Sequence, residues 1–319
     1  MLNNYNFKSI FKGEFNYFIK YKRSLGLKYE METYRLKYID NILYNLNLKS
    51  KKISKKTFYK LTERKGMKEK NYARQYGIIN DFCKFLILNN YKDIYYENKK
   101  FSVINNYKPV ILSDSEIKKI FQVMDNDMNK YRNKKNYKLH YSYSVLFRLI
   151  YSCGLRLSEV LKINTDDINF VENTIDIIDS KRHTSRIVVF SNSMKACLKD
   201  YINIFNIKDE LLFKNSRNKI INGGTLRTFY KEILKKTNLN INSHIHDLRH
   251  CFCNKAFNQM LEKGYDENVI MVYLYKYMGH KSIHETEYYL HFTDYNKKKI
   301  IDANDAFSKN LYEGVDLNA

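Results

Sequence analysis

The stretch GLRLSEVLKINTDDINFVENTIDIIDSKRHTSRIVVF, residues 154–190, determines the fold class of the second part of the chain. It begins with a short helical pattern. Apolar and polar residues then alternate on both sides of Glu172-Asn173, and a further alternating run, RIVVF, follows SKRHTS. The pattern predicts a short helix followed by a small antiparallel sheet of three strands.

Helical periodicity surrounds this stretch. SYSVLFRLIYSCG precedes it, every segment from Gly224 onward has helical spacing, and the capping box Ser113–Glu116 predicts a helix start. Residues 1–100 contain about four helical patterns with lysine on their outer faces. Pro109 lies between these regions in a polar, irregular segment. The chain is therefore predicted to be mainly α with a small antiparallel β-sheet. We expect a helical domain over 1–100, a linker over 101–112, and a mixed α/β domain over 113–319.

The composition favours a polyanionic partner. The chain has 56 Lys+Arg against 34 Asp+Glu, a formal net charge of +22, and basic side chains bind phosphates with release of counterions. Residues 1–108 hold 24 basic and 9 acidic side chains, so 15 of the 22 surplus charges lie there. The alternative is the compositional bias of an AT-rich genome, with lysine on solvated faces. Five cysteines without small-scaffold spacing, and an N-terminus without an apolar core segment, predict a reduced, cytoplasmic protein with no membrane segment.

Several basic, histidine and tyrosine side chains stand inside otherwise apolar segments of the second domain. They are Arg156, Lys181, His246, Arg249, His280 and the pair Tyr288-Tyr289. Each has a simple alternative: an ion pair with Glu159 for the first, an exposed hairpin for the lysine, and core packing for histidine and tyrosine. Together they form a set suited to phosphoryl transfer without metal, in which guanidiniums bind the phosphate and tyrosine is the nucleophile.

A zinc site is the rival interpretation of the same region. It would use His244, His246, His250, Cys251 and Cys253, of which His246 and His250 are four residues apart on a predicted helix. The spacing matches no standard closed zinc pattern, and Cys251 points about 100° away from His250 on a helix. We therefore expect neither a metal nor another cofactor.

The order GLRLSEVLKI, a lysine-bearing hairpin, HIHDLRHCF and MGHKSIHETEYYLHF resembles the tyrosine recombinase (phage integrase) family. The resemblance covers about residues 110–300. It implies that 113–319 is a catalytic domain with a C-terminal tail helix. The helical domain before it is similar to the core-site-binding domain of the family, though less specifically.

The resemblance also implies a role for each residue. Arg156 and Arg249 bind the scissile phosphate, Lys181 is the general acid, His246 assists proton transfer, His280 hydrogen-bonds the phosphate, and Tyr289 rather than Tyr288 is the nucleophile. Glu159, Asp247 and His250 are expected to support the site, and Arg74 and Arg182 are candidate DNA contacts.

The implied activity is site-specific DNA recombination through a 3′-phosphotyrosyl intermediate, for integration, excision or resolution of a mobile element. The implied partners are double-stranded recombination sites with inverted repeats around a short spacer. The protein is expected to form a homotetramer on DNA and to be a monomer or weak oligomer alone. Two alternatives are a type IB topoisomerase-like relaxing enzyme and a non-catalytic DNA-binding protein of the same fold.

Overall fold

The computed structural model describes residues 5–99, 101, 107–179, 184–208, 210–239 and 242–280. The chain divides into two compact units, Met1–Tyr107 and Lys108–Ala319. In the described ranges, no helix has the length and apolar character needed to cross a membrane.

The first unit is helical and has an aromatic core. Its helices are α1 (Lys12–Ser24), α2 (Glu30–Asn45), α3 (Lys55–Leu61) and α4 (Glu69–Leu88). Phe82 of α4 lies at the centre, with ring centroids 4.4 Å from Phe15 and 5.4 Å from Phe18. Asp40 of α2 accepts the backbone N–H of Ser9 at 2.9 Å, which fixes the entry into α1. The apolar period of the sequence therefore buries one face of each helix, with lysine outside.

The second unit combines seven helices with one sheet among its described residues. The helices are α5 (Asp114–Lys130), α6 (Tyr137–Cys153), α7 (Leu157–Val160), α8 (Asn192–Ile204), α9 (Gly223–Lys236), α10 (Ile245–Glu262) and α11 (Glu267–Met278). The strands β1 (Ile168–Asn169), β2 (Thr174–Asp179) and β3 (Thr184–Val189) form an antiparallel sheet in the order β1-β2-β3. The predicted fold class, mainly α with a small antiparallel sheet, is confirmed.

The sheet register decides which side chains of the hairpin face the helices. Ile175 pairs with Val188, and Ile177 pairs with Arg186. Ile175, Ile177 and Val188 are buried, and they place Arg186 on the same inward face of the sheet. The short alternating run of the sequence thus brings one arginine into the interior.

Helix α6 packs against α5, α8 and α10. Before it, α5 begins in the predicted capping box, where Ser113 and Glu116 exchange side chain to backbone hydrogen bonds of 2.8 and 3.3 Å. After it, Gly154 adopts φ +63°, and a Cβ there would lie 2.3 Å from the Phe252 ring. Only glycine fits this left-handed position so close to α10.

Candidate active site

Two helices begin at the candidate site, and each carries its own carboxylate cap. Arg156 precedes α7, and its backbone N–H donates to Glu159 Oε2 at 2.8 Å. His244 precedes α10, and its N–H donates to the fully buried Asp247 at 2.7 Å. An acidic residue three positions after the cap satisfies a backbone donor that the helix leaves open. The caps fix the first turns that carry Arg156 and His246.

The Glu159 carboxylate is the centre of an arginine cluster. Oε1 accepts from Arg156 Nη1 at 2.8 Å and from Arg186 Nη1 at 3.0 Å, and Oε2 accepts from Arg186 Nη2 at 2.8 Å. Arg249 Nη1 lies 3.9 Å from Oε2. Three guanidiniums therefore share one carboxylate, which leaves a formal surplus of two positive charges.

The same three arginines hold the last carbonyls of α11. Arg186 Nε donates to Tyr277 O at 2.8 Å, Arg249 Nη2 to Met278 O at 2.6 Å, and Arg156 Nη2 to Gly279 O at 2.8 Å. The carbonyls at a helix C-terminus lack intrahelical donors and carry partial negative charge. The arginines satisfy them, and they fix the position of His280, the next residue.

Arg249 lies deepest in the cluster. Its side chain has 0% exposure, against 25% for Arg156. Besides Met278 O, it donates from Nη1 to Gly154 O at 2.6 Å, so its guanidinium stands at the C-terminal ends of both α6 and α11. Its nearest carboxylate oxygen, Glu159 Oε2, is 3.9 Å away, which is too far for a hydrogen bond. The two helix ends therefore stabilise this buried cation.

The surplus charge changes the pKa values of neighbouring groups. Burial by itself raises the pKa of the Glu159 carboxyl, but the hydrogen bonds and charge of Arg186, the Arg156 N–H and the charge of Arg249 bring it down to about 2. Burial, with the charge of Arg249 as the next cause, lowers the pKa of His280 to about 3. The carboxylate is therefore ionised and His280 neutral at pH 7.

The histidine pair on α10 is also held neutral. Burial lowers the pKa of His250 to about 3, with electrostatic interactions with His246 and Arg249 as the next causes. For His246, loss of solvent around the ring and then the charge of Arg249 lower the pKa to about 4. His246 is nevertheless an exposed residue, so solvent weakens the effect, and the direction is what bears on function. The two rings stand at 84° with centroids 4.9 Å apart.

A cavity of about 520 Å³ opens beside Arg156 and His246. Most of its wall is apolar, from side chains such as Leu157 and Ile245. Polar residues also line it, and among these Arg227 and Lys231 come from successive turns of α9. An apolar space with basic side chains at its border suits a ligand that carries a phosphate.

The structure brings together some of the predicted site residues and leaves others undescribed. Arg156, Arg249, His246 and His280 lie around Glu159 and the end of α11. The predicted Lys181, Arg182 and Tyr289, together with Tyr288 and the tail, lie outside the described residues. Arg74 is an exposed residue of α4 in the first unit.

No support emerges for the zinc alternative. In the parts of the chain that the structure describes, no three His, Cys, Asp or Glu side chains are grouped to hold a metal ion. Burial raises the pKa of the Cys251 thiol to about 11 and that of Cys253 to about 12, which opposes the thiolate form that binds zinc. Cys251 Sγ instead accepts the Leu112 N–H at 3.2 Å.

Sequence reasoning assigned no role to Arg186, Arg227 or Lys231. Arg186 belongs only to the alternating pattern that follows Lys181 in the sequence. The two α9 residues had one weak signal, a basic pair four residues apart in GGTLRTFYKEI. Neither pattern indicates that the side chain points to the site, because that depends on how β3 and α9 pack.

A model of the phage integrase family matches residues 111–295, more than half of the chain. The chain belongs to this family. The predicted family and enzyme class, a site-specific recombinase that breaks and rejoins DNA strands, are thereby confirmed.

Relatives of known name agree with the family assignment. A tyrosine recombinase of Thermosipho africanus is 26% identical over 234 residues, 72% of this chain and 74% of the relative. Tyrosine recombinase XerA of Pyrococcus horikoshii is 25% identical over 194 residues, 60% of each chain.

Two solved structures share the fold. The Tn1549 transposon integrase in complex with transposon right end DNA has a TM-score of 0.60 at 15% identity, covering 92% of this chain and 99% of that chain. The XerH recombinase bound to its palindromic difH substrate has a TM-score of 0.62 at 17% identity, covering 87% and 80%. At such identity the likeness concerns the fold.

Proposed function

We propose that the chain recombines specific DNA sites, cleaving and rejoining strands through a 3′-phosphotyrosyl intermediate with Tyr289 as nucleophile. The observation that carries this proposal is the surplus charge at Glu159, where three guanidiniums surround one carboxylate beside an open cavity. A phosphodiester supplies the missing negative charge. Fixed cations also stabilise the further charge that develops on its oxygens in the transition state.

Arg156 is the first contact for the scissile phosphate, because it lines the cavity and keeps part of its side chain exposed. Arg249 stands behind it. Both terminal nitrogens of Arg249 donate to backbone carbonyls, Gly154 O and Met278 O, so a phosphate that binds it directly shares these nitrogens with the carbonyls or replaces one of them. His280, next to the arginine-bound end of α11, completes the set of phosphate donors.

The chemistry needs no resident cofactor. The Tyr289 hydroxyl oxygen bonds to phosphorus, the P–O5′ bond breaks, and the 5′-oxygen leaves as a hydroxyl with a proton from Lys181. The tyrosine proton passes to His246, whose neutral ring can accept it. Attack by the partner strand's 5′-hydroxyl then reverses these bond changes on the new strand and releases the tyrosine.

Strand exchange requires four active sites on two duplexes, so we propose a homotetramer on DNA and a monomer or weak oligomer in its absence. The recombination sites are inverted repeats around a short spacer, in a cytoplasmic reaction that integrates, excises or resolves a mobile element. The lysine-rich first unit supplies phosphate contacts, with Arg74 on α4 as a candidate, and Arg182 of the second unit is a further candidate.

A nicked suicide duplex tests the assignment. It is built from inverted repeats found in the DNA that flanks the gene, with the nick in the spacer so that the cleaved strand diffuses away. We expect a covalent protein–DNA adduct that is lost in Tyr289→Phe and kept in the matched control Tyr288→Phe. An adduct that persists in Tyr289→Phe rejects the assignment.

The product distinguishes recombination from relaxation. With two sites on one supercoiled plasmid, a recombinase yields deletion or inversion products. Relaxed circles without recombinants indicate the topoisomerase-like alternative, and an unchanged plasmid with a stable protein–DNA complex indicates a non-catalytic binder.

A further inference from the structure

Arg186 is the member of the arginine cluster for which the sequence patterns predict no role. It lies on β3, opposite Ile177, with 12% of its side chain exposed. Its Nη1 and Nη2 bind both oxygens of Glu159, at 3.0 and 2.8 Å, and its Nε binds Tyr277 O at 2.8 Å. One guanidinium therefore joins the sheet, α7 and the end of α11.

The fit of Arg186 against α11 is close. Gly279 adopts φ +60°, and a Cβ there would lie 3.1 Å from Arg186 Nη1 and 3.3 Å from its Cδ. The residue that precedes His280 is thus glycine for two reasons, its left-handed backbone and the arginine beside it. The guanidinium fixes the turn from which His280 projects.

Arg186 is oriented toward protein groups rather than toward the cavity. Its fork is occupied by the two carboxylate oxygens, its Nε by a backbone carbonyl, and it is not among the cavity-lining residues. Arg156, by contrast, lines the cavity and takes Glu159 Oε1 from the other side. The two arginines therefore bind the same carboxylate, but Arg156 also faces the cavity, whereas Arg186 binds only protein groups.

The position of Arg186 in the chain adds a second connection. It lies five residues after Lys181, and β3 begins at Thr184, directly after the hairpin segment. The fork thus ties the register of β3 to the caps of α7 and α11.

We infer that Arg186 is a positioning residue for strand cleavage. Because it donates hydrogen bonds to Glu159 and to Tyr277 O, it holds Arg156 and His280 in the geometry that binds the scissile phosphate. The inference rests on the proposed function of these two residues. Arg186 acts through Glu159 and the end of α11 and does not touch the substrate.

The test measures DNA binding and cleavage separately in Arg186→Gln and Arg186→Lys. Binding is followed by gel shift and cleavage by single-turnover adduct formation on the suicide duplex. We expect binding within about 3-fold of the unsubstituted protein and cleavage about 100-fold slower, the order of loss that a misplacement of about 1 Å produces. Lysine keeps the charge but not the fork, so it restores little.

Two further readouts separate positioning from a merely structural contribution. In Arg186→Gln, Glu159 loses the partner that lowers its pKa most, so that pKa rises and cleavage begins to fall at a higher pH on acidification than in the unsubstituted protein. In addition, adding Arg186→Gln to Glu159→Gln slows cleavage by much less than it slows the unsubstituted protein, because only the contact with Tyr277 O remains to be lost.

Arg148→Gln is the matched control, since this guanidinium binds Asp125 at 2.7 Å on α5 and α6 instead. It is expected to leave cleavage and its pH profile unchanged. Cleavage at the unsubstituted rate by both Arg186 variants overturns the positioning role. So does a loss explained entirely by weaker binding, or an unmoved pH profile. If the unsubstituted protein forms no adduct, the proposed function itself fails, and the positioning role fails with it.

Discussion

Replacing Glu159 by glutamine removes the one carboxylate that binds the arginine cluster. The side chain is 9% exposed and accepts four hydrogen bonds, from Arg156 N, Arg156 Nη1 and the two Nη atoms of Arg186. Glutamine keeps the shape and one acceptor oxygen, but it leaves three guanidiniums without a counter-charge. We expect the second unit to lose stability, chiefly at α7 and at the end of α11.

The size of the loss follows from the pKa of Glu159. That pKa falls from 4.5 to about 2 on folding. At about 1.4 kcal/mol for each tenfold change in the acid constant, this lowering corresponds to about 3 kcal/mol at neutral pH. Breaking a buried ion pair by removing one partner costs about 3–5 kcal/mol in general, which is the same order. Because glutamine keeps one acceptor oxygen, the expected loss of unfolding free energy lies at the lower end of this range, about 3 kcal/mol.

The pH dependence has a definite sign. A carboxyl whose folded pKa is lowered contributes its full stability above its unfolded pKa of 4.5, and the contribution is lost as the pH falls through about 2. The difference between the unsubstituted protein and Glu159→Gln should therefore stay constant from pH 5.5 to 8, even where both proteins change in stability for other reasons.

Urea unfolding followed by circular dichroism gives the global loss, and peptide-level hydrogen exchange shows where it occurs. Peptides of α7 and α11 should lose about 3 kcal/mol of opening free energy, while those of α1–α4 stay unchanged. Asp125→Asn is the control, because its 40% exposed carboxylate pairs with Arg148 and should contribute about 1 kcal/mol or less. A loss below about 1 kcal/mol in Glu159→Gln, or a loss equal to that of the control, refutes the reasoning.

Three further outcomes are expected. Lys181→Met should slow cleavage of an ordinary phosphodiester by about 10²–10⁴-fold. A substrate with sulfur in place of the bridging 5′-oxygen should be cleaved at the normal rate, because a thiolate leaves without a proton. Slow cleavage of the sulfur substrate contradicts the general-acid role. Burial lowers the pKa of His250 and His280 to about 3, so the free energy of unfolding should fall as the pH drops below 6.5. The expected fall in urea unfolding is about 2 kcal/mol per histidine at pH 5, and His250→Gln should remove about half of it. Arg227→Gln and Lys231→Gln should each weaken DNA binding equally for all sequences and reduce the slope of log K against log salt by about 1; a sequence-dependent change argues against phosphate contacts.

Sequence patterns predicted the elements that rest on local chemistry. The capping box at Ser113 and the hairpin around Asn173 were predicted because short-range backbone chemistry determines them. The same holds for the helix start at Arg156, where the pairing partner Glu159 is three residues away. These features need no knowledge of how distant segments pack.

The arginine cluster required tertiary information. Arg186 is 27 residues from Glu159 and 91 from Tyr277, and no periodicity in the sequence connects them. The alternation of RIVVF places an arginine and an isoleucine on opposite faces, yet it does not say that the arginine faces inward. Only the register with β2, and the approach of α11, turn that arginine toward the site.

The distribution of charge explains why cations so close together remain stable before DNA arrives. Three guanidiniums around one carboxylate repel one another, and a fourth positive charge on any histidine would add to that repulsion. The lowered pKa values of His246 and His280 keep those rings neutral, and the carbonyl ends of α6 and α11 supply partial negative charge at Arg249 and its neighbours. A carbonyl dipole holds a cation less strongly than a full anion does. A phosphate entering the cavity can therefore take arginine donors from the end of α11, whereas it competes poorly for those on Glu159. DNA binding should accordingly loosen Met278 O and Gly279 O before it disturbs the carboxylate.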